Sequence, residues 1–244
     1  MKILATLVLT LVYLTLVSVG KPYQGAELYS LDSYSYGRFE MRMKAAKASG
    51  VLSTFFTYKY DSEKADVVWE EIDIEIFGKD DGQSFQSNVI TGLGERQTTE
   101  DVHRFPFSLA DDFHVYALEW TPDTVAWYLD GELVRKYEGR QAQVMTSPQS
   151  LRFNLWAANI EKWVGPIESE SFPVYQWVDW LRVYRYSKDS GEFELDWVDE
   201  FDHFDESRWG KADWTFAENA CDFSPDNIKV EGGMLRLALT ESVD

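Results

Sequence analysis

Three acids spaced two apart, Glu71, Asp73 and Glu75, stand in the run Trp69-Glu-Glu-Ile-Asp-Ile-Glu-Ile-Phe77. In a strand, alternate residues share a face. Ile72, Ile74 and Ile76 then point toward a core, and the acids point the other way, framed by Trp69 and Phe77. Like charges in series on one face repel, and exposed strands ordinarily mix signs. An arrangement that costs stability suits chemistry. Glycoside hydrolysis needs two carboxyl groups flanking the bond, one ionised and one protonated. A hard divalent cation also takes clustered carboxylates. A plain acidic surface strand is the third reading, and the pattern alone leaves all three open. Alpha carbons four positions apart on a strand are separated by ~13 Å. Side chains leaning inward on a concave sheet can narrow that gap to the ~5–5.5 Å of a retaining pair. Asp73 between them would raise a neighbour's pKa by its charge and hold it by hydrogen bonding.

Acids on a strand need a sheet curved around them, and the rest of the sequence reads as one. A period of two recurs in Gly37–Lys44, where Phe39, Met41 and Met43 alternate with Arg38, Glu40 and Arg42. His114–Trp120 ends at a turn, Thr121-Pro122-Asp123. Val125–Leu129 and Glu132–Tyr137 flank Asp130-Gly131, a type I′ hairpin signal because both residues tolerate positive φ. Further strands are expected at Val51–Tyr60, Phe85–Thr91, Ser150–Trp156, Val174–Tyr186 and Met234–Thr240. Short helical turns are expected only at Phe107–Asp112 and Glu168–Phe172. The fold class is all-β, an antiparallel sandwich or barrel.

Charge narrows the partners. Forty-two acidic against 23 basic residues give a net charge of −19. This argues against a phosphate backbone or an anionic membrane surface as the main partner. Aromatic residues make up 16% of the chain, enough for a groove that stacks flat rings as well as a core. The single cysteine, Cys221, excludes an internal disulfide and multi-cysteine metal sites; it reads as a partly buried bystander. His103, His114 and His203 are scattered and read as structural or surface.

Residues 1–20 read as a secretory signal peptide: Lys2, the apolar stretch Ile3–Val19, then the small-residue exit Ser18-Val19-Gly20. The apolar stretch is short for a membrane anchor. The mature protein is therefore expected to be secreted. Residues 21–244 form a single domain, with 187–192 a polar linker to the tail. That tail is too small to fold alone, yet carries Trp197, Phe201, Phe204, Trp209 and Trp214, so it should complete the same sandwich.

Glu71-Ile-Asp-Ile-Glu75 resembles the active-site signature of glycoside hydrolase family sixteen, the jelly-roll β-glucanases. Gly25-Ala-Glu-Leu-Tyr29, Tyr36-Gly-Arg-Phe-Glu40, Phe85-Gln-Ser-Asn88, Glu119-Trp-Thr-Pro-Asp123 and Arg152-Phe-Asn-Leu-Trp156 extend the likeness over essentially the whole mature chain. Within the family it is most similar to the 1,3-1,4-β-glucanases, or lichenases; laminarinase-type members usually carry an extra, bulged residue before the final glutamate. Phe193-Glu-Leu-Asp-Trp197, Asp199-Glu-Phe-Asp202, Ser207-Arg-Trp209 and Asp213-Trp-Thr-Phe216 resemble segments most members carry at the amino terminus. Their late position resembles a circular permutation, which a sandwich with surface termini accepts.

The resemblance implies roles. Glu71 would be the nucleophile, Glu75 the general acid and later base, and Asp73 their assistant. Phe56, Tyr58, Gln86, Asn88, Glu100, Arg152, Asn154, Trp156, Trp163 and Trp214 would line the substrate cleft, with Tyr60 replacing an asparagine of the lichenases. Asp179, Glu200 and Gly233 match a structural calcium site, and no cofactor is implied for catalysis. The expected partner is a neutral β-glucan and the expected state a monomer. Gln86–Asn88 with Gly94-Glu-Arg-Gln97 also resembles the xyloglucan endo-transglycosylases, a β-1,3-glucanase belongs to the same family, and a non-catalytic glucan-binding lectin is the reading from outside enzymology.

Overall fold

Alternation of apolar and polar residues does its work strand by strand in the computed structural model, which describes residues 20–242. The expected leader lies almost entirely outside the described residues. In chain order the strands are β1 (Tyr23–Tyr34), β2 (Gly37–Lys44), β3 (Val51–Tyr58), β4 (Val68–Phe77), β5 (Ser84–Leu93), β6 (Gln97–Thr98), β7 (Asp101–Arg104), β8 (His114–Trp120) and β9 (Val125–Leu129). They continue with β10 (Glu132–Tyr137), β11 (Gln149–Ala157), β12 (Val174–Tyr186), β13 (Phe193–Asp199), β14 (Trp209–Lys211), β15 (Cys221–Phe223), β16 (Ile228–Glu231) and β17 (Met234–Glu241).

Two curved layers result, so the all-β class expected from the sequence holds. In the inner layer β14, β1, β11, β3, β4 and β5 are hydrogen-bonded in that order, with β6 and β7 along the far side of β5. The outer layer centres on β12, which pairs with β2 on one side and with β17 and β13 on the other. From β2 it continues through β8 and β9 to β10. In β2, Phe39, Met41 and Met43 are fully buried; in β4, so are Ile72, Ile74 and Ile76. These side chains meet in one core between the layers. Asp130 and Gly131 have φ of 50° and 86°, the left-handed pair a type I′ turn requires.

β1 ties the layers and the chain ends together. Its first residues pair with β17 and, in parallel, with β15, while its later residues join β11 and β14. The Ser242 amide donates to the Pro22 carbonyl at 2.9 Å, so the two ends of the described chain touch. The tail therefore builds this sandwich rather than a second unit. Ser187–Glu192, expected as a linker, is the tight turn of the β12–β13 hairpin: the Ser187 amide donates to the Glu192 carbonyl at 2.9 Å.

Some local expectations fail for identifiable reasons. Phe107–Asp112 is a sequence of turns and not a helix; its Phe107 ring leaves the backbone to stack on His114, centroids 5.0 Å apart. The short turn expected within Glu168–Phe172, by contrast, is present as a 3-10 turn over Ser169–Ser171. Two single-turn helices, α1 (Arg140–Val144) and α2 (Glu161–Val164), were not anticipated; elements this short carry no helical period to read. β3 stops at Tyr58, two residues earlier than expected, where the Lys59 amide turns to the Glu70 carbonyl. Cys221 is fully rather than partly buried, which pushes its thiol up to about 12.

Candidate active site

The register of β4 decides which side chains enter the concave face. Ladders with β3 and β5 run without a shift from Glu71 to Phe77 on both sides. Burial of the three isoleucines on the core side forces Glu71, Asp73 and Glu75 onto the opposite face, because a one-residue slip would exchange the two sets. Tyr58, Phe56 and Thr54 stand across β3 from the three acids; Asn88 and Gln86 stand across β5 from Asp73 and Glu75. One register step further, β11 contributes Arg152 beside Phe56 and Asn154 beside Thr54.

These residues line one cleft of about 920 Å³. Every cleft residue expected from the sequence lines it except Glu100, which is exposed in the segment between β6 and β7. Glu100 acts on the site only at a distance, its charge raising the pKa of Glu75. Trp214 is exposed and ready to stack on a flat face, and Trp163 is partly so. Trp156 is only 6% exposed, its ring set edge-on to Phe216 at 5.0 Å, so it supports the wall more than it forms a platform.

The polar groups of the cleft floor are held by each other. Glu27 accepts from Arg152 Nη1 at 2.8 Å and from Asn154 Nδ2 at 3.2 Å. Thr54 Oγ1 also donates to Asn154 Oδ1. The Arg152 guanidinium lies 4.4 Å from the Tyr58 ring centre and 5.3 Å from that of Tyr60, with Tyr29 and Trp214 just beyond. Such a cation is desolvated on its faces and paid back by rings and a buried carboxylate. Glu27 belongs to Gly25-Ala-Glu-Leu-Tyr29, one of the segments that carry the family likeness, yet was given no site role, because its buried partners Arg152 and Asn154 lie far along the chain. On the β4–β5 side, Arg96 lies 4.7 Å from the Trp69 ring centre and reaches Glu218 at 3.5 Å. Glu218 follows the partly exposed Phe216 in a loop that Lys21 secures, its Nζ donating to Thr215 Oγ1 at 2.6 Å and to the Phe216 carbonyl at 2.7 Å.

Electrostatics separates the three acids. Glu75 is pushed up to about 8, chiefly by burial; a hydrogen bond from Gln86 Nε2 at 2.7 Å pulls it down, and the charges of Glu71 and Glu100 push it up again. Asp73 is raised well above the carboxylate range by burial and by Glu71 and Glu75 on either side. Its Oδ2 is buried with no donor facing it. An oxygen so placed is relieved by carrying a proton, and hydrogen bonding with Glu71 favours that protonated form. Glu71 is raised by burial, but hydrogen bonds from Trp69 Nε1 (2.5 Å) and Asp73, with the positive charges of Arg152 and Arg96, favour its ionised form. The strand thus presents two unequal carboxyls to the cleft: Glu75, protonated at neutral pH, and Glu71, whose hydrogen bonds and cationic neighbours oppose the effect of burial. An inequality in this direction is what attack on one side of an acetal carbon and protonation of the leaving oxygen on the other require.

The residues matched to calcium sit in one corner of the outer layer. Asp179 follows Val178, which pairs with Leu235 just past Gly233; Glu200 follows Asp199, which pairs with Leu181. Asp179 Oδ2 already accepts from Arg42 at 2.6 Å, leaving Oδ1 and the neighbouring carbonyls. Gly233 is in a left-handed turn, and Asp202 Oδ1 stands 3.8 Å from the point a Cβ there would occupy. An all-oxygen set of this kind is compatible with a hard dication, although no cluster of three acidic, histidine or cysteine side chains poised for a metal occurs among the described residues.

An antiparallel sandwich whose concave face carries an acid pair between aromatic walls defines a carbohydrate-active enzyme class. Comparison with known proteins narrows it. Residues 4–182 match the model of glycosyl hydrolases family 16, and the chain belongs to that family. It is 50% identical over 226 residues to a β-glucanase of Fibrobacter succinogenes, an alignment covering 90% of this chain and 64% of the relative's length. Among solved structures, the Bacillus licheniformis β-glucanase superposes with a TM-score of 0.57 at 31% identity, covering 66% of this chain and 77% of that one. A β-1,3-1,4-glucanase (lichenase) from a mouse hindgut metagenome gives 0.56 at 27% identity, over 67% and 79%.

The raised acids make stability depend on pH. A carboxyl whose folded pKa lies above its unfolded value binds more protons in the native state, so stability declines as pH rises between the two values. For Glu75 that window runs from its ordinary 4.5 to about 8. Glu75→Gln should therefore melt at a higher temperature than the parent above pH 8, with the gain shrinking toward zero below pH 4.5. Thermal melts across pH 4–9 measure this; a variant equally or less stable at every pH would show that Glu75 is not held protonated.

Proposed function

We propose that this chain is a secreted, endo-acting, retaining β-glucanase of the lichenase type, cleaving β-1,4 bonds adjacent to β-1,3-linked glucose in mixed-linkage β-glucan. The observation that carries the reading is the placing of Glu71 and Glu75 on one face of one strand, in a cleft walled by aromatic rings, with Glu75 pushed up to about 8 and Glu71 given donors and cationic neighbours that favour its charged form. Glu71 attacks the anomeric carbon and holds a glycosyl ester; Glu75 protonates the departing oxygen, then takes a proton from the water that releases the sugar. Asp73, by sharing its proton with Glu71, keeps the nucleophile aimed and limits its charge before attack.

The linkage assignment rests on two supports. The β4 ladder is unbroken at the signature, as in lichenase-type members and unlike the bulged laminarinase type. The relatives compared above carry β-glucanase and lichenase names. Exposed Trp214 and partly exposed Trp163 stack sugar faces, while Asn88, Arg152 and Asn154 take hydroxyls. A wrongly kinked chain leaves such groups unpaired at about 1–3 kcal/mol each. The neutral polysaccharide is the partner and the enzyme works as a monomer, exported by its leader. Circular permutation explains why tail strands flank β1 and why the chain ends touch. A structural calcium at Asp179, Glu200 and Gly233 completes the proposal.

Reducing-end release from mixed-linkage β-glucan, laminarin, carboxymethyl cellulose and xyloglucan tests the substrate. Activity confined to the mixed-linkage glucan is expected, with Glu71→Ala retaining glucan binding and losing turnover by a factor of at least about 10³. Preference for laminarin, or chain transfer to xyloglucan oligosaccharides, would overturn the linkage assignment, and binding without turnover in the parent would leave a lectin. Proton NMR of the first product should show the β-anomer at the new reducing end; initial α-anomer excludes the glycosyl ester. Chelation should lower the melting temperature and added calcium restore it, whereas identical melts in both would remove the metal from the proposal.

A further inference from the structure

The side-chain hydrogen bond that the Glu75 carboxyl makes is with an amide. Gln86 Nε2 donates to Glu75 Oε2 at 2.7 Å, and Gln86 Oε1 accepts from Trp163 Nε1 at 3.2 Å. An amide can present either end to a carboxyl, because its oxygen and nitrogen occupy nearly the same space. An indole N–H can only donate. With the indole N–H on one side, the amide must turn its oxygen to Trp163 and its NH₂ to Glu75.

We propose that Trp163 is a positioning residue for the reaction: its indole N–H sets the orientation of the Gln86 amide, and through it selects the Glu75 oxygen that carries the proton. The inference rests on Glu75 being the general acid. When Glu75 is protonated, Oε2 is occupied as an acceptor, so the proton resides on Oε1 and is available for the leaving oxygen. When Glu75 has delivered its proton, the same Gln86 N–H stabilises the new charge. Without the indole N–H, the amide is free to turn its carbonyl toward Glu75. That orientation binds the protonated form, aims the proton at Gln86, and makes Glu75 a weaker acid.

The ring is held firmly enough to serve as such a lock. Trp163 lies in α2, whose backbone is pinned from both directions. Lys79 Nζ donates to the Trp163 carbonyl, and the Gly50 amide donates to the Val164 carbonyl at 3.0 Å. The ring meets Phe77 edge-on, centroids 6.1 Å apart, and Trp156 at 6.0 Å. Gln86 is 8% exposed and lies directly across the β4–β5 ladder from Glu75. Around Glu75 the charged groups are Glu71 and Asp73 on its own strand and Glu100 beyond β6. Its β3 neighbour Thr54 and its β5 neighbour Gln86 are neutral. Arg152, paired with Glu27, stands two strands away on β11, and Lys79 lies just past the end of β4. None of these is altered by changing the indole.

Trp163→Phe keeps an aromatic face for the sugar and removes only the N–H. The alkaline limb of the kcat/KM–pH profile should move up by about one pH unit, and kcat at the optimum should fall severalfold. Gln86→Leu should shift the limb in the same direction, and adding Trp163→Phe to it should produce no further shift. In the free enzyme, the ¹³C-labelled Glu75 carboxyl should titrate higher by the same amount. An unchanged limb with a raised KM would show that Trp163 only stacks sugar. Additive shifts, or a limb that moves without the Glu75 carboxyl moving, would equally overturn the relay. Should Glu75→Gln hydrolyse like the parent, the assignment of Glu75 as the acid fails instead, a result the ¹³C titration distinguishes from failure of the relay.

Discussion

The period of two along β4 is the constraint on which the rest depends. Three consecutive isoleucines on one side of that strand, fully buried between the layers, leave no alternative register. Each would expose about as much apolar area as a core side chain buries, roughly 1.5–3 kcal/mol apiece, if the strand slipped by one. The same packing that stabilises the sandwich therefore drives three acids into one concave surface. Mutual repulsion and desolvation, unfavourable for folding, become the source of the protonation difference the chemistry needs.

Hydrogen bonding then divides equal neighbours into unequal ones. Glu71 receives the Trp69 indole and the Asp73 proton, and feels Arg152 and Arg96. Glu75 receives only the Gln86 amide, with Glu100 adding a repulsive charge. The low-dielectric floor magnifies each of these differences. Around them the walls are built by side chains from distant parts of the chain: Glu27 near the start holds Arg152 and Asn154, and Trp214, Phe216 and Glu218 near the end also line the cleft. The hydrogen bonds from Lys21 to the loop that carries them make the order of the last segment dependent on the first.

Much of this was legible in the chain. The β4 alternation, the Asp130-Gly131 hairpin, the long Val174–Tyr186 strand and the paired acids are local patterns, and strands are recognised by local patterns. Phe107–Asp112 was misread because a short run mixing Phe107, Leu109 and Ala110 with polar residues looks helical until His114 claims the Phe107 ring. Ser187–Glu192 looked like a linker because a tight hairpin turn and a flexible joint use the same small, polar residues. Glu27 and Arg96 lie in segments that carry a family likeness but were given no site role, and Glu218 lies in none, because each acquires its meaning from a partner more than fifty residues away.

By itself, the sequence determined the layer architecture, the face on which Glu71, Asp73 and Glu75 stand, and the aromatic character of the walls, since these follow from periodicity and residue type. Only the tertiary structure decided which acid keeps its proton, that Trp156 supports while Trp214 lies open, that Glu100 stays outside the cleft, and that the Gln86 amide is caught between Trp163 and Glu75. Those outcomes depend on burial and on donors brought in from other strands, and a pKa or an amide orientation is a property of surroundings that no single segment contains.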